Sequence, residues 1–315
     1  MDAVSNDKTC AIIVTYFPDG EFPQRLRMIA AQVAAVIVVD NSADAGISSW
    51  LHELSRQGHT SLIENDCNRG IATALNQGLE RARQLGFHWA VTLDQDSIAA
   101  DDMVSRLLAS LASYSEPERV ALVGANLVHR QVTGAGSRWR WLRPHPGIPL
   151  FFQRVGCDDG DRDDVSVIIT SGTLMSLPAY RRLGPFRDDF FIDYVDTEYC
   201  LRARRNGYRL LVSARAILHH TLGAKREETL LGVTMKPTFH DPQRIYYISR
   251  NRIPMLRMYA LGFPHWLAFD LVAAGYNLLR ILLLEDRKAA KFRAFLLGTL
   301  DGLRGRMGVN SRRLS

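Results

Sequence analysis

The sequence predicts an α/β fold, a parallel sheet flanked by helices, followed by a helical C-terminal extension. Three observations carry this expectation. Short β-branched runs alternate with helix-period patterns from Ala11 to Gly124. Polar and acidic residues fall where several of those apolar runs stop. From about residue 244 onward, strand patterns give way to apolar helices rich in arginine.

Ala11-Ile12-Ile13-Val14 is short, continuous and β-branched, as befits a strand buried on both faces. Phe17-Pro18-Asp19-Gly20 breaks it as a turn. A helix is expected over 22–33, a second buried strand over 35–39, a helix over 47–57 and a short strand over 61–63. A helical pattern then covers 71–85, and Gly86 suits its C-terminal stop. A fourth strand, 88–93, runs straight into Asp94; a helix over 101–114 and a strand over 120–124 follow. Right-handed crossovers in such a series bring the strand ends, and any ligand, to one edge.

Residues 131–164 change character. Arg138, Trp139, Arg140, Trp141 and Arg143, three prolines and a later Asp-rich stretch read as a long irregular insertion. Regular structure resumes over 165–175, with a helix over 196–206 and a strand over 208–213. Helices are expected over 244–260, 265–284 and 287–303. The division this suggests is 1–240 and 241–315, with residues 1–8 and 308–315 as frayed ends.

With 315 residues, 47% of them hydrophobic, the chain can bury a core and is not a disordered polymer. Its net charge of +6 gathers in the C-terminal region, among Arg244, Arg250, Arg252, Arg257, Arg304 and Arg306. Such a charge suits nucleic acid, anionic lipid or a phosphorylated substrate. No aromatic-basic strand motif accompanies it, so nucleic acid is excluded as the partner. Cys10, Cys67, Cys157 and Cys200 are widely spaced without a C-x-x-C pair, which argues against a zinc knuckle or disulfide framework. Asp2, Asn6 and Asp7 interrupt the opening residues, so no signal peptide is expected and the protein is placed in the cytoplasm. The helix over 265–284 is highly apolar, but Asp270, Asn277 and Arg280 interrupt it. It reads either as an in-plane anchor on the inner membrane face, or as a core helix or the dimer face of a homo-oligomer.

Five features carry chemistry. Asp94-Gln95-Asp96 ends an apolar strand, and two carboxylates there suit a hard divalent cation, Mg²⁺ or Mn²⁺, bridging protein and diphosphate. The bland alternative is a cap for the next helix, a role open to Ser97 too. Asp40-Asn41-Ser42 ends the second strand, where such a triplet is often only a turn. Asn68 to Gly78 opens a helix with small residues at Gly70, Ala72 and Ala74; this fits a phosphate at the helix N-terminus or tight helix–sheet packing. Asp193, Asp196 and Glu198 follow an aromatic stretch. Any of them could cap a helix, but transfer chemistry needs a carboxylate beside the acceptor hydroxyl, and Asp196 at the helix entry is the choice. His219-His220 could complete the metal site or bind a phosphate, with His220 preferred.

In this order, these features resemble the inverting family 2 glycosyltransferases of the GT-A fold, and within them bacterial rhamnosyltransferases of surface-polysaccharide assembly such as O-antigen. The matching stretches are Ile12 to Tyr16, Val38 to Ser42, Asn68 to Ala72, Leu93 to Ser97, Ser171 to Thr173 and Phe191 to Tyr199, with a weaker echo from Arg244 to Asn251. The resemblance implies a Rossmann-like sheet binding a nucleotide-diphosphate sugar, here L-rhamnose on dTDP, with Thr15, Tyr16 and Asp40 lining the base pocket and Asn68 and Gly70 nearby. Asn41, Ala72, Gln95 and Glu198 join the substrate-binding set. The resemblance also implies a metal held by Asp94 and Asp96, with Asp196 as base. Where the family often has Glu-Asp, this chain has Val195-Asp196. The implied acceptor is a polyprenyl-diphosphate-linked saccharide.

One displacement through an oxocarbenium-like transition state would then invert the anomeric centre. A nucleotidyltransferase would carry a Gly-rich basic loop after strand one, which Thr15 to Gly20 lacks. A catalytically silent sugar- or nucleotide-binding module would not need Asp94, Asp96 and Asp196 together.

Overall fold

The computed structural model describes residues 5–56, 59–129, 139–220, 228–230, 233–235, 240–312 and 314. The described residues form two compact units. One comprises residues up to 143, 154–188 and 195–220; the other comprises 144–153, 189–194 and the described residues from 228 onward. Both are built from discontinuous stretches of chain, where the sequence suggested contiguous ones.

In chain order, the first unit opens with β1 (Thr9–Thr15), α1 (Phe22–Ala30), β2 (Ala35–Asp40), α2 (Ala45–Ser55), β3 (Thr60–Glu64), α3 (Gly70–Gln84) and β4 (Trp89–Asp94). Every residue of β1 is buried, as its β-branched run requires. Asp44 starts α2 by accepting from the amides of Gly46 and Ile47 at 2.9 and 3.0 Å. Gly86, at φ 81°, follows α3 as its expected stop. Against β1, α3 packs so closely that a Cβ on Gly78 would collide with Ile12.

The chain continues with β5 (Ile98–Ala99), α4 (Met103–Ala112), β6 (Val120–His129), the ribbon β7 (Trp141–His145) and β8 (Ile148–Val155), then β9 (Thr173–Ser176), α5 (Leu177–Leu183), α6 (Val195–Arg205) and β10 (Arg209–His220). The main sheet has the order β3-β2-β1-β4-β9-β6-β10-β5. Strands β1 to β4 are parallel, as expected, and β10 runs parallel to β6. The sheet is mixed, because β9 is antiparallel to both β4 and β6. The chain returns along the strand-end edge and enters the sheet from there, and a bare apolar run does not encode its direction.

A second correction concerns 131–164. Residues 131–138 lie outside the described set, but 141–155 is a hairpin turned by Pro146-Gly147, not an irregular loop. Its prolines at 144 and 149 suggested irregularity. A two-stranded ribbon has an unpaired edge on each side, so prolines are tolerated there.

Besides the short pair β11 (Glu228–Leu230) and β12 (Val233–Met235), the second unit holds α7 (Pro242–Tyr259), α8 (Pro264–Leu283) and α9 (Lys288–Leu303). Asp241 caps α7 by accepting from the Arg244 amide at 2.8 Å. Gly298 and Gly302 let α9 lie on the main chain of α7; a Cβ on either would strike the carbonyl oxygens of Tyr246 and Arg250. Glu285, 1% exposed, accepts from Arg280 and Lys291, a buried charge satisfied from two sides.

Candidate active site

The sheet register brings the predicted strand ends side by side. Thr15 lies opposite Asp40, and Val14 opposite Asp94. Around Asp40 the interactions are internal. Its carboxylate accepts from the Thr15 hydroxyl at 2.7 Å and from the amide and hydroxyl of Ser42 at 3.1 and 2.8 Å, and only 3% of the residue is exposed. The Ser42 hydroxyl accepts in turn from the Phe17 amide at 2.7 Å. This holds the turn after β1 in place, with Phe17 at φ 47° and the Tyr16 and Phe17 rings exposed edge to face at 4.9 Å.

Gln95 does structural work at the same edge. Its side-chain oxygen accepts from the Tyr16 amide at 2.7 Å, and its side-chain nitrogen donates to the Tyr16 carbonyl at 3.1 Å. The Gln95 carbonyl accepts from Arg25 at 2.7 Å, and the Arg25 guanidinium also meets Asp19 and Glu21. Arg25 was missed in the sequence, although its spacing from Glu21, four residues along a helix, was a visible signal.

Asn41 is buried and fully engaged. It donates to the Gly70 carbonyl at 3.2 Å and accepts from Asn65 at 2.9 Å, and Asn65 exchanges hydrogen bonds with Gln77. Asn68 accepts from the Gly70 amide at 2.9 Å, forming the entry to α3, and Gly70 adopts φ 81° there. Ala72 is fully buried, and helix–sheet packing accounts for its side chain. Glu198 is buried as well. Its carboxylate, 3% exposed, is paired with Arg202 at 2.8 Å, and Arg202 also donates to the carbonyls of Leu183, Gly184 and Pro185.

Asp94, Gln95 and Asp96 are half-buried at the end of β4. The loop 170–172 locks this turn. Ser171 accepts from the Asp94 amide at 3.1 Å and shares a hydrogen bond with Ser97 at 2.8 Å. The Gly172 amide donates to the Thr92 carbonyl at 2.8 Å, while the Thr92 hydroxyl donates to the Thr170 carbonyl at 2.6 Å. Gly172 sits at φ 74°, and a Cβ there would come 2.7 Å from Leu218. Ser171 thus belongs to the site, though its link to β4 spans 77 positions and only the triplet Ser171-Gly172-Thr173 pointed to it.

The opposite flank of that loop meets Asp196. Thr170 and Thr173 line a small cavity with Asp196, Phe186, Tyr199 and Cys200. Asp196, second residue of α6, is half-buried and accepts from the Thr197 amide at 2.7 Å. Burial pushes the Cys200 thiol and the Tyr199 phenol up, so both line the cavity as neutral groups. Asp94 and Gln95 line a separate small cavity beside Phe22 and Arg25. The 170–173 loop lies between these two cavities and links them.

For a cation, the donor set fits. Asp96 has no hydrogen-bond or ion-pair partner among the described residues, and a half-buried carboxylate in that state suits a hard cation. No group of three His, Cys, Asp or Glu side chains converges among the described residues. Two carboxylates would leave the rest of the shell to water and substrate phosphate oxygens, the usual arrangement for Mg²⁺. The backbone of His219 pairs with Ile98, just past the acidic turn, and that of His220 with His129; the His220 side chain lies outside the described set.

Comparison with known proteins identifies the family and the fold. Residues 10–184 match the model of glycosyl transferase family 2. Over 310 residues the chain is 26% identical to the dTDP-rhamnosyl transferase RfbF of Shigella flexneri, covering 96% of this chain and 98% of that protein. The fold is similar to that of S. aureus TarS residues 1–349 in complex with UDP-GlcNAc, at a TM-score of 0.58 and 12% identity over 95% of this chain and 82% of that one. It is also similar to the mannosyltransferase PcManGT of Pyrobaculum calidifontis in complex with GDP-Man and Mn²⁺, at a TM-score of 0.56 and 16% identity over 97% and 90%. The matched segment runs from β1 through α5 and contains the ends of β1, β2 and β4; this chain belongs to glycosyl transferase family 2 and is a glycosyltransferase of GT-A fold.

Proposed function

We propose that this enzyme transfers L-rhamnose from dTDP-L-rhamnose, with inversion and with a divalent cation, to a hydroxyl of a lipid-linked saccharide in surface-polysaccharide assembly. The observation that carries the catalytic reading is the 170–173 loop, which ties the carboxylate turn of β4 on one side and borders Asp196 on the other. The choice of sugar is supported by the end-to-end similarity to a dTDP-rhamnosyl transferase.

In this reading Tyr16 and Asn68 form the donor rim, with Thr15 and Asp40 bracing it from below. Asp94 and Asp96 would hold Mg²⁺ or Mn²⁺, which would supply positive charge to the departing diphosphate. Asp196 accepts the proton of the acceptor hydroxyl as that oxygen bonds to the anomeric carbon. The bond from that carbon to the phosphate oxygen breaks on the opposite face, and its electron pair leaves with the nucleoside diphosphate. The Thr197 amide fixes one oxygen of Asp196, orienting the carboxylate for this task.

The test is release of nucleoside diphosphate from a panel of donors, dTDP-, UDP- and GDP-linked, with and without chelator. Release from dTDP-L-rhamnose, abolished by chelation and restored by Mg²⁺ or Mn²⁺, is expected. Turnover with another donor alone would overturn the sugar assignment. Turnover in excess chelator would overturn the cation.

The second unit supports contact with a membrane surface. By length and composition α8 could cross a membrane, but Asp270 and Arg280 within it are buried, and Leu271, Val272, Leu279 and Leu283 are exposed. On α9, Leu296 and Leu300 are also exposed, with Arg287, Lys288, Arg293 and Arg304 around them. Apolar faces with a basic rim suit an anionic bilayer carrying the acceptor. Vesicles containing anionic lipid should sediment the full chain, and Leu279→Asp should release it. Concentration-dependent dimers that Leu279→Asp dissociates, without vesicle binding, would make the face a homo-oligomer contact instead.

A further inference from the structure

We infer that Arg250 and Asn251 are positioning residues for Asp196, acting through the strained segment 189–194. This rests on the assignment of Asp196 as base.

The segment is unusual in its backbone. Phe191, Asp193 and Tyr194 have φ of 66°, 62° and 62°, and none is glycine. For residues with a Cβ, and for aromatic ones above all, the left-handed region is disfavoured. Such a run persists only where its surroundings over-determine it.

Here they do. Arg250 donates to the carbonyls of Asp189 and Phe190 at 3.0 and 2.9 Å. Asn251 donates to those of Phe190, Ile192 and Asp193 at 3.0, 2.8 and 3.0 Å. The two side chains are joined by a hydrogen bond of 3.0 Å from Arg250 to the Asn251 oxygen. Phe191 stacks on Tyr247 at 4.9 Å, and the Arg250 guanidinium lies 4.8 Å from the same ring. Arg244 grips the Asp193 carboxylate at 3.0 Å, and the Tyr194 hydroxyl meets Asp270, itself paired with Arg252.

Arg250 is 1% exposed, and its hydrogen bonds go to main-chain carbonyls and to the Asn251 side chain. A buried guanidinium held on main-chain carbonyls is a poor device for stability alone, since apolar packing would serve better. Its geometric result is specific: together with Asn251 it fixes the carbonyls of Asp189, Phe190, Ile192 and Asp193, just before α6. Val195 and Asp196 follow directly in the chain, so the conformation of 189–194 limits how α6 can begin. Freed from the clamp, the segment would relax toward ordinary φ values, and the carboxylate would lose its fixed approach to the acceptor. A misplacement of about 1 Å can cost on the order of 100-fold in rate.

The experiment compares four full-length variants: Asn251→Ala, Arg250→Lys, Tyr246→Phe and Asp196→Asn. Each is assayed for kcat, acceptor KM, donor affinity by calorimetry, thermal stability and hydrogen exchange. Asn251→Ala is expected to lower kcat on the order of 100-fold with donor affinity unchanged, and to speed exchange in 191–196. Arg250→Lys keeps the charge but loses the fork, and should show a smaller loss of the same kind. Tyr246→Phe removes a hydrogen bond to Asp301 from the same helix and keeps the ring that faces Arg250; it should lower stability and leave kcat alone. If Asn251→Ala does not fold, Arg250→Lys decides. Unchanged kcat in the folded clamp variants, or an equal fall in Tyr246→Phe, overturns the inference. Full turnover in Asp196→Asn would instead sink the base assignment beneath it.

Discussion

Glu198 offers a sharp separation between binding and packing. Its carboxylate is 3% exposed and pairs with Arg202, whose side chain is 19% exposed. Removing one partner of a buried ion pair costs about 3–5 kcal/mol, because the other charge is stranded. Arg202 would keep the carbonyls of Leu183, Gly184 and Pro185 and some solvent, although its Nε already lacks a partner. The expected loss for Glu198→Ala is therefore smaller, about 2–3 kcal/mol. Urea unfolding followed by fluorescence should show a lowered midpoint with an unchanged slope. The folded fraction should bind donor as the parent enzyme does. Unaltered stability together with weakened donor binding would refute the structural role and return Glu198 to the substrate-binding set.

The remaining predictions concern other parts of the molecule. Asp96→Ala should weaken donor binding in the presence of Mg²⁺ or Mn²⁺ and change it little in chelator, read by calorimetry under both conditions. Gly298→Ala puts a methyl group into the main-chain oxygen of Tyr246, and an overpacking loss of about 1–3 kcal/mol or more is expected in urea unfolding. Cys67 is exposed, whereas burial pushes Cys10 up to about 12 and Cys157 up to about 11, and raises Cys200 further. The raised thiols stay protonated at pH 8 and are shielded, so a thiol reagent should count one reactive cysteine in the native protein and all four after unfolding.

The sequence made some features plain and hid others for physical reasons. Strands β1, β2 and β4 were legible because central parallel strands need continuous β-branched runs, and helices over 22–33 and 71–85 because amphipathic periodicity is local. Strand direction is not local, so the antiparallel course of β9 was invisible in the run 165–175. The acidic turn at Asp94 stood out because it interrupts a strand, while its lock, Ser171, lies 77 positions away in the chain. The burial of Ala72 and Glu198 was not legible because a small residue or an acid in a helical first turn looks the same whether it faces a ligand or the interior. Phe191, Asp193 and Tyr194 gave no hint of positive φ in the sequence, since that conformation is held by Arg250 and Asn251 from another part of the chain.

Single-turnover kinetics of Asp196→Asn, run beside donor calorimetry on the same preparation, bears most directly on the central claim. The account predicts a rate lower by about 10²–10⁴-fold, the usual worth of a general base, with donor affinity and cation dependence intact. A variant that still turns over at the parent rate, or one that fails because it no longer binds the nucleotide sugar, would contradict it.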